Sequence, residues 1–102
     1  MRRSDSNGVP GGRKFEWDEA NRGHLARHRV TQEELEQGMR NDPVELGSAD
    51  VNRELRTKVA AVTDRGRILE MVYTVRRGKI RAVTAYPANR SKRERYRGYF
   101  TN

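Results

Sequence analysis

The chain of 102 residues has no cysteine, only three prolines and few aromatic residues. The lack of cysteine excludes disulfides, thiolate metal sites and cysteine nucleophiles, and it suits a reducing compartment. No apolar run approaches the roughly 18–20 residues that a membrane helix needs. Arg2 and Arg3 are not followed by the apolar segment of a secretory signal. We therefore expect a cytoplasmic protein with no membrane partner.

Acidic residues are nearly absent from one segment. Positions 76–97 hold nine Lys or Arg and one acid, Glu94, whereas the other eighty positions hold thirteen bases and thirteen acids. The whole formal net charge of +8 therefore lies in this segment. Clustered bases gain most from displacing the counterions around phosphates, so the distribution predicts a surface that binds nucleic acid.

The size and composition predict one domain with a thin core. Hydrophobic residues make up 33% of the chain and charged residues 35%. Residues 1–13 are rich in Ser, Asn and Gly and have little to bury, so we predict a disordered tail there and a single domain over residues 14–102.

The sequence of the first half of the domain predicts a short strand followed by two helices. Phe15 and Trp17 alternate with charged residues, which predicts a short strand over Lys14–Trp17. Asp18 is placed to cap a first helix, for which the predicted inward positions are Ala20, His24, Leu25 and His28. Thr31 and Glu34 match a capping box. The helix that it opens, about residues 32–40, would bury Leu35 and Met39, and the stretch from Asn41 to Asn52 is predicted as a loop because Pro43 stops the helix.

The second half predicts an antiparallel meander of three strands. Apolar and polar residues alternate from Arg53 to Thr63, and Ile68–Val75 is the most apolar run and the predicted central strand. Lys79–Tyr86 follows, with Ile80, Ala82 and Thr84 expected on one face. The turns fall at Asp64–Gly66 and Arg76–Gly78, and a basic helix over Arg90–Arg97 ends the fold. The fold class is therefore α+β, with two N-terminal helices and one C-terminal helix on a small antiparallel sheet.

One group of residues on these strands fits RNA cleavage. Attack by a 2′-hydroxyl requires a proton acceptor, a proton donor for the leaving oxygen, and cations for the charge on phosphorus. Glu54 and Tyr86 can move protons, and Arg56 and Arg81 can hold charge. The alternative is that Glu54 and Arg56 form an ordinary solvated ion pair, worth under about 1 kcal/mol.

Two further sets of residues are candidates for binding. The bases predicted to contact RNA are Arg76, Arg77, Lys79, Lys92, Arg93, Arg95 and Arg97, because one acid cannot pair so many cations. His24 and His28 are four residues apart, a spacing that can chelate a metal if a third ligand approaches. Without a further ligand in the motif, packing and hydrogen bonding are the favoured roles of these histidines.

The order of several short motifs resembles that of BrnT-like toxins. The resemblance covers about residues 14–97 and is carried by Phe15-Glu-Trp-Asp18, Asn21, Ala26-Arg-His28, Val30-Thr-Gln-Glu-Glu34, Asn41-Asp-Pro43, Gly66-Arg-Ile-Leu, Val72-Tyr-Thr74, Ile80-Arg81, Ala85-Tyr-Pro-Ala88 and Glu94-Arg-Tyr96. It implies a fold related to RelE-type ribonuclease toxins, and RNA cleavage that blocks translation. It also implies a BrnA-like antitoxin that covers the active surface and helps to bind operator DNA.

The resemblance maps the family's sheet residues to Glu54 and Arg56, and its closing basic helix to Arg90–Arg97. This chain departs from the pattern in two places. The family usually has Gly where Arg29 stands, after the first helix, and this Gly would be a C-cap. The family also commonly has Arg where this chain has Tyr86.

The sequence thus predicts a metal-independent endoribonuclease toxin of a type II toxin–antitoxin pair, acting on messenger RNA, free or on the ribosome. Glu54 would be the base and Tyr86 the acid, and Arg56, Arg81 and Arg90 would stabilise the phosphate charge. The alternative is a non-catalytic module of the same fold that binds RNA, DNA or an acidic partner. A metallohydrolase built on His24 and His28 is a third, weaker hypothesis.

Overall fold

The structure is a computed structural model that describes residues 14–100. The predicted tail, residues 1–13, lies outside the described residues. The elements in chain order are α1 (Glu19–Arg27), α2 (Gln32–Arg40), β1 (Val44–Val51), β2 (Glu54–Val62), β3 (Ile68–Arg76), β4 (Lys79–Pro87) and α3 (Arg90–Phe100). This arrangement confirms the α+β class and the two N-terminal helices. The basic helix begins at Arg90 as predicted and continues three residues beyond Arg97.

The sheet has four antiparallel strands in the order β1-β2-β3-β4, so the predicted meander of three strands was one strand short. The additional strand, β1, occupies the stretch that was predicted as a loop. Its residues are mostly exposed because it is an edge strand. The turn into β2 holds both Asn52 and Arg53 at positive φ, the backbone of a type I′ hairpin, and this turn directs β1 back along β2.

One face of the sheet, the core face, packs against α1 and α2. Its buried strand residues include Val59, Leu69, Met71, Ile80, Ala82 and Ala85, and the helices and the link between them contribute Leu25, Val30, Leu35 and Met39. The contact with α2 is close at Gly38, where an added Cβ would lie 2.8 Å from the Cβ of Ala61. The two buried positions predicted for α2, Leu35 and Met39, are confirmed.

The opposite face is covered at one end only. There α3 packs Tyr96 against Ala60, Ile68 and Ala88. We call this whole face of the sheet, on all four strands and including the end beneath α3, the open face. It is the part of the sheet on which polar and charged side chains reach solvent.

A β-bulge in β4 decides which residues reach the open face. Val72 pairs with Thr84 and Tyr73 with Ala82, so Val83 has no partner of its own in the ladder. Thr84 therefore faces away from Ile80 and Ala82, which lie in the core. The prediction of these three residues on one face was wrong, because simple alternation does not anticipate the extra residue.

Two predictions at the start of the domain were also wrong. Lys14–Trp17 forms no strand, since Phe15 makes only an isolated parallel bridge to Ile80. Of the four residues that were predicted to point inward from the first helix, only Leu25 is buried. The other buried residue of α1 is Asn21, which was not predicted. Asn21 is buried because its side chain accepts a hydrogen bond from Asp18 N and donates one to Glu16 O, closing the N-terminus of the helix.

The predicted helix caps are confirmed. Thr31 Oγ1 accepts from Glu34 N at 3.0 Å and Thr31 N donates to Glu34 Oε1 at 3.1 Å, the reciprocal pair of a capping box. Asp18 caps α1 by accepting from Asn21 N. Arg29, directly after the C-cap His28, has φ +58°, the left-handed backbone that favours Gly at this position.

Candidate active site

The strand register arranges the side chains of the open face in rows across the sheet. At one end, Val51 pairs with Glu54 on one hairpin and Arg76 with Lys79 on the other. The next row joins Ala49 with Arg56 and Thr74 with Arg81, the row after it runs Gly47, Lys58, Val72 and Thr84, and the last runs Val44, Ala60, Glu70 and Tyr86. The candidate residues therefore fall into a Glu54 end and a Glu70 end.

At the Glu54 end, one carboxylate holds two arginines. Glu54 accepts from Arg76 Nε at 2.8 Å and from Arg56 Nε at 3.3 Å. The hydrogen bond from Arg76 is the main reason that the pKa of Glu54 is lowered from its usual range. Beside this pair, Arg81 donates to Asp18 at 2.6 Å and lowers the pKa of that carboxyl group too. Both acids are therefore ionised at neutral pH.

Three guanidiniums converge at this end. Arg56, Arg76 and Arg81 line one cavity of about 180 Å³, together with His24 and the start of α1. Guanidinium groups bind phosphate oxygens through two parallel hydrogen bonds, so several of them around a small cavity form a site for a phosphodiester. His24 is exposed on α1 and reaches this cavity from the side of the sheet edge.

At the Glu70 end, a fully buried carboxylate has four side-chain partners. The Glu70 carboxylate lies 3.0 Å from Lys58 Nζ and 3.1 Å from Lys92 Nζ. It also accepts hydrogen bonds from Tyr86 at 3.0 Å and Tyr96 at 2.9 Å. The four partners come from β2, β4 and α3, so Glu70 joins three elements through one side chain. We call Glu70 and these four residues the Glu70 cluster.

The pKa of Glu70 is set by its burial and by these four contacts. Burial alone raises it, but hydrogen bonds from Lys58, Tyr96 and Lys92 outweigh the burial and lower the pKa to about 2. The hydrogen bond between Lys58 and Glu70 also raises the pKa of Lys58. The cluster thus carries two ammonium charges and one carboxylate charge at neutral pH, and it leaves a net positive charge on the open face.

The structure does not bring the predicted base and acid together. Glu54 is hydrogen-bonded to Arg76 of β3, and Tyr86 is hydrogen-bonded to Glu70 of β3. Arg76 and Glu70 are six positions apart on that strand. At about 3.3 Å per residue the separation is roughly 20 Å, too far for both groups to act on one phosphodiester. The histidines also separate: His24 lines the arginine cavity, whereas the His28 ring lies edge-on to Tyr86 at 5.9 Å.

The predicted RNA-binding bases lie at both ends of the open face. Arg76, Arg77 and Lys79 lie at the exposed β3–β4 turn, beside Glu54. The others lie on α3, where Arg93, Arg95 and Arg97 are exposed and Lys92 is partly covered by its contact with Glu70. Arg90, which was predicted to be catalytic, is exposed at the start of the same helix. Tyr96 packs back on the sheet, and Tyr99 remains 46% exposed, with its ring stacked on Tyr96.

Two residues of the site, Lys58 and Glu70, were not among the sequence candidates, and they are in contact on the open face. His24 was considered as a metal ligand or a packing residue and not for proton transfer. A signal for Glu70 does exist, since it is the only charged residue in the apolar run Ile68–Val75. A single acid in a central strand must be paired if it is buried, which points to cationic partners on neighbouring elements.

The described part of the chain has neither a cluster of metal ligands nor a membrane-spanning helix. Within residues 14–100, no three His, Cys, Asp or Glu side chains are grouped so that they could hold a metal ion. No helix among these residues is long and apolar enough to cross a membrane.

The fold and the site define a class: a small α+β protein whose sheet presents guanidinium groups, and carboxylates paired with cations, on an open face. A family model described as "Ribonuclease toxin, BrnT, of type II toxin-antitoxin system" matches residues 17–92. The chain belongs to this family, and therefore to the ribonuclease toxins of type II toxin–antitoxin systems. No curated protein and no solved structure gives a significant match.

Proposed function

We propose that this protein cleaves RNA by metal-independent acid–base chemistry, at a phosphodiester held by Arg56, Arg76 and Arg81. The observation that carries the proposal is the convergence of these three guanidiniums on one small cavity that His24 also lines. Glu54 is in direct contact with two of the three. A charge-stabilising site, a proton acceptor and a proton donor are thus grouped at one end of the open face.

In the proposed reaction, Glu54 takes the proton of the 2′-hydroxyl and the 2′-oxygen forms a bond to phosphorus. The bond from phosphorus to the 5′-oxygen breaks, which leaves a 2′,3′-cyclic phosphate. His24 gives a proton to the departing 5′-oxygen, a role that imidazole side chains often take in general acid catalysis. The guanidiniums stabilise the negative charge that builds on the phosphate oxygens.

Substrate binding would also activate the base. In the free protein, the Arg76 hydrogen bond lowers the pKa of Glu54 and makes it a weak base. A bound phosphate competes with Glu54 for Arg76 and Arg56. When the guanidiniums turn to the phosphate, Glu54 loses its strongest partner, and its pKa rises toward the ordinary value.

The Glu70 end would bind RNA next to the reacting phosphate. Tyr86 and Arg90, the other two predicted catalytic residues, lie in or beside the Glu70 cluster, away from Glu54. We assign to them, and to the bases of α3 and the β3–β4 turn, contacts with the flanking phosphates. A strand of RNA lying along the open face can then contact both groups of bases.

The family membership supports a biological setting. We propose that cleavage of messenger RNA, free or on the ribosome, blocks translation in the cytoplasm. A BrnA-like antitoxin would cover the open face and carry the complex to operator DNA. An acidic partner segment fits this face because its bases outnumber its acids, so that the antitoxin and the RNA would compete for the same cations.

The test is a metal-free incubation with a long messenger RNA, with and without ribosomes and chelator. Glu54→Gln and His24→Gln should each lower cleavage by about 10²-fold or more, the scale of general acid–base catalysis. Tyr86→Phe should weaken RNA binding and retain cleavage at saturating RNA. Glu33→Gln, an exposed acid on α2, is the matched control. Unchanged cleavage by Glu54→Gln would remove Glu54 from the mechanism, and loss of cleavage with chelator would favour a metal mechanism.

The alternative function is binding without cleavage. It is favoured by one observation, the pairing of Glu54 with Arg76 and Arg56, because a purely structural ion pair makes the same contacts. This function predicts a gel shift of intact RNA that weakens steeply with salt. Neutralising Arg93, Arg95 and Arg97 should reduce the salt dependence, since each phosphate contact contributes about 0.7 to the slope for single strands.

A further inference from the structure

The middle of the open face is an apolar trough. It is a cavity of about 460 Å³ between the Glu54 end and the Glu70 cluster. Its apolar lining comes from Leu46, Ala49, Val51, Val72 and Val83. Arg56, Lys58 and Thr84 line it as well, so that a mostly aliphatic surface is bordered by two cations and a hydroxyl.

The trough is continuous with the arginine cavity. Arg56 and Val83 line both, so one guanidinium lies between the two spaces. A ligand that fills them together is anionic where Arg76 and Arg81 lie and apolar where Val72 lies. A nucleotide has this shape, with a phosphate at one end and a flat base at the other.

We propose that the trough is a subsite for one unstacked base of single-stranded RNA, adjacent to the phosphate in the arginine cavity. This inference rests on the proposed function. One side of the base packs on Val72 and Val83, and the planar Arg56 guanidinium stacks on it, as guanidinium groups do on nucleobases. A base inside a duplex cannot reach such a trough, so the subsite selects single-stranded segments.

The polar border gives the subsite a preference among base edges. Lys58 can only donate hydrogen bonds, and its ammonium is held in place by Glu70 at 3.0 Å. Thr84, paired with Val72 across the strands, can donate or accept. The edge that fits best presents an acceptor toward Lys58, as the carbonyl oxygens of guanine and uracil do.

The experiment measures binding, separately from cleavage. Short RNA strands with 2′-O-methyl riboses have no hydroxyl to attack, so they bind without being cut. One strand is made intact, and others lack a single base at successive positions with every phosphate kept. Fluorescence anisotropy compares the wild type with the double variant Val72→Ala/Val83→Ala. Leu55→Ala/Val75→Ala removes two exposed apolar side chains from the other face of the sheet and serves as the control.

We expect loss of one particular base to weaken wild-type binding about tenfold, the scale of base stacking on a protein side chain. The Val72→Ala/Val83→Ala variant should lose most of this dependence, and the control variant should keep it. Equal binding of all strands by the wild type would overturn the subsite, and so would a Val72→Ala/Val83→Ala variant that keeps the full dependence on that base. Base-dependent binding without cleavage of ordinary RNA would refute the proposed function and leave the subsite standing.

Discussion

Protonation of Glu70 should detach α3 from the sheet, and the size of the effect follows from the Glu70 cluster. The pKa of Glu70 is about 2 in the folded protein, against an ordinary value of 4.5. This difference corresponds to roughly 3 kcal/mol of folding free energy at neutral pH. A small domain has only about 5–15 kcal/mol in total, so one carboxylate supplies a large share.

The direction of the pH dependence is fixed by the lowered pKa. The contribution of Glu70 is complete above about pH 4.5, where the unfolded chain is also ionised. It is lost as the pH falls toward about 2, since the unfolded chain then binds a proton that the folded one does not. Stability should therefore fall steeply between pH 4.5 and 2, and the contacts of α3 through Lys92 and Tyr96 should loosen first.

The matched perturbation is Glu70→Gln, which keeps the size of the side chain and removes its charge. Lys58 and Lys92 would then lose their counter-charge. Both side chains are partly exposed, so solvent screens them, and we expect the loss to be about 1–3 kcal/mol, below the cost of breaking a fully buried ion pair. Urea unfolding between pH 2 and 7 measures both effects, with Glu45→Gln, an exposed acid on β1, as the control. If wild type and Glu70→Gln show the same stability and the same pH profile, the reasoning is refuted.

Three further predictions concern stability and are tested by urea unfolding. Arg29→Gly should stabilise the protein by about 0.5–1 kcal/mol, because the left-handed backbone at φ +58° costs Arg more than Gly; a loss would show that the Arg29 side chain has a role of its own. Gly38→Ala should cost about 1–3 kcal/mol through its clash with Ala61, and adding Ala61→Gly should restore part of it; a neutral single variant would mean that α2 shifts freely. Thr31→Ala should cost about 1 kcal/mol by removing the cap of α2, whereas no change would show that the capping hydrogen bonds contribute nothing net.

The sequence predicts most of the fold because most elements have local signals. The caps at Asp18 and Thr31 are satisfied by residues three positions away, and the alternation in β2 and in β4 up to the bulge reflects one buried face. β1 has no such signal. It contains Gly47, Ser48 and Asp50, and it forms because the edge of β2 offers backbone partners and the turn at Asn52 aims the chain toward them.

The charges of the candidate site can be predicted from the composition, but their arrangement cannot. The excess of bases and the acid at Glu54 are visible in the sequence, and the structure groups Glu54 with Arg56 as expected. The partner of Tyr86 is not visible, because Glu70 is sixteen residues away and meets it only through the register of β3 and β4. The role of His24 likewise depends on where α1 lies against the edge of the sheet.

The bulge at Val83 has a consequence for anyone who transfers or redesigns this surface. Arg81 and Tyr86 are five residues apart, so a regular strand would turn them to opposite faces. The unpaired Val83 lets a single strand present both on the open face. Deleting Val83 would remove one valine and no charged residue from the sequence. Arg81 and Tyr86 would nevertheless point to opposite faces of the sheet, so the number of residues between them is as much a part of the site as their identity.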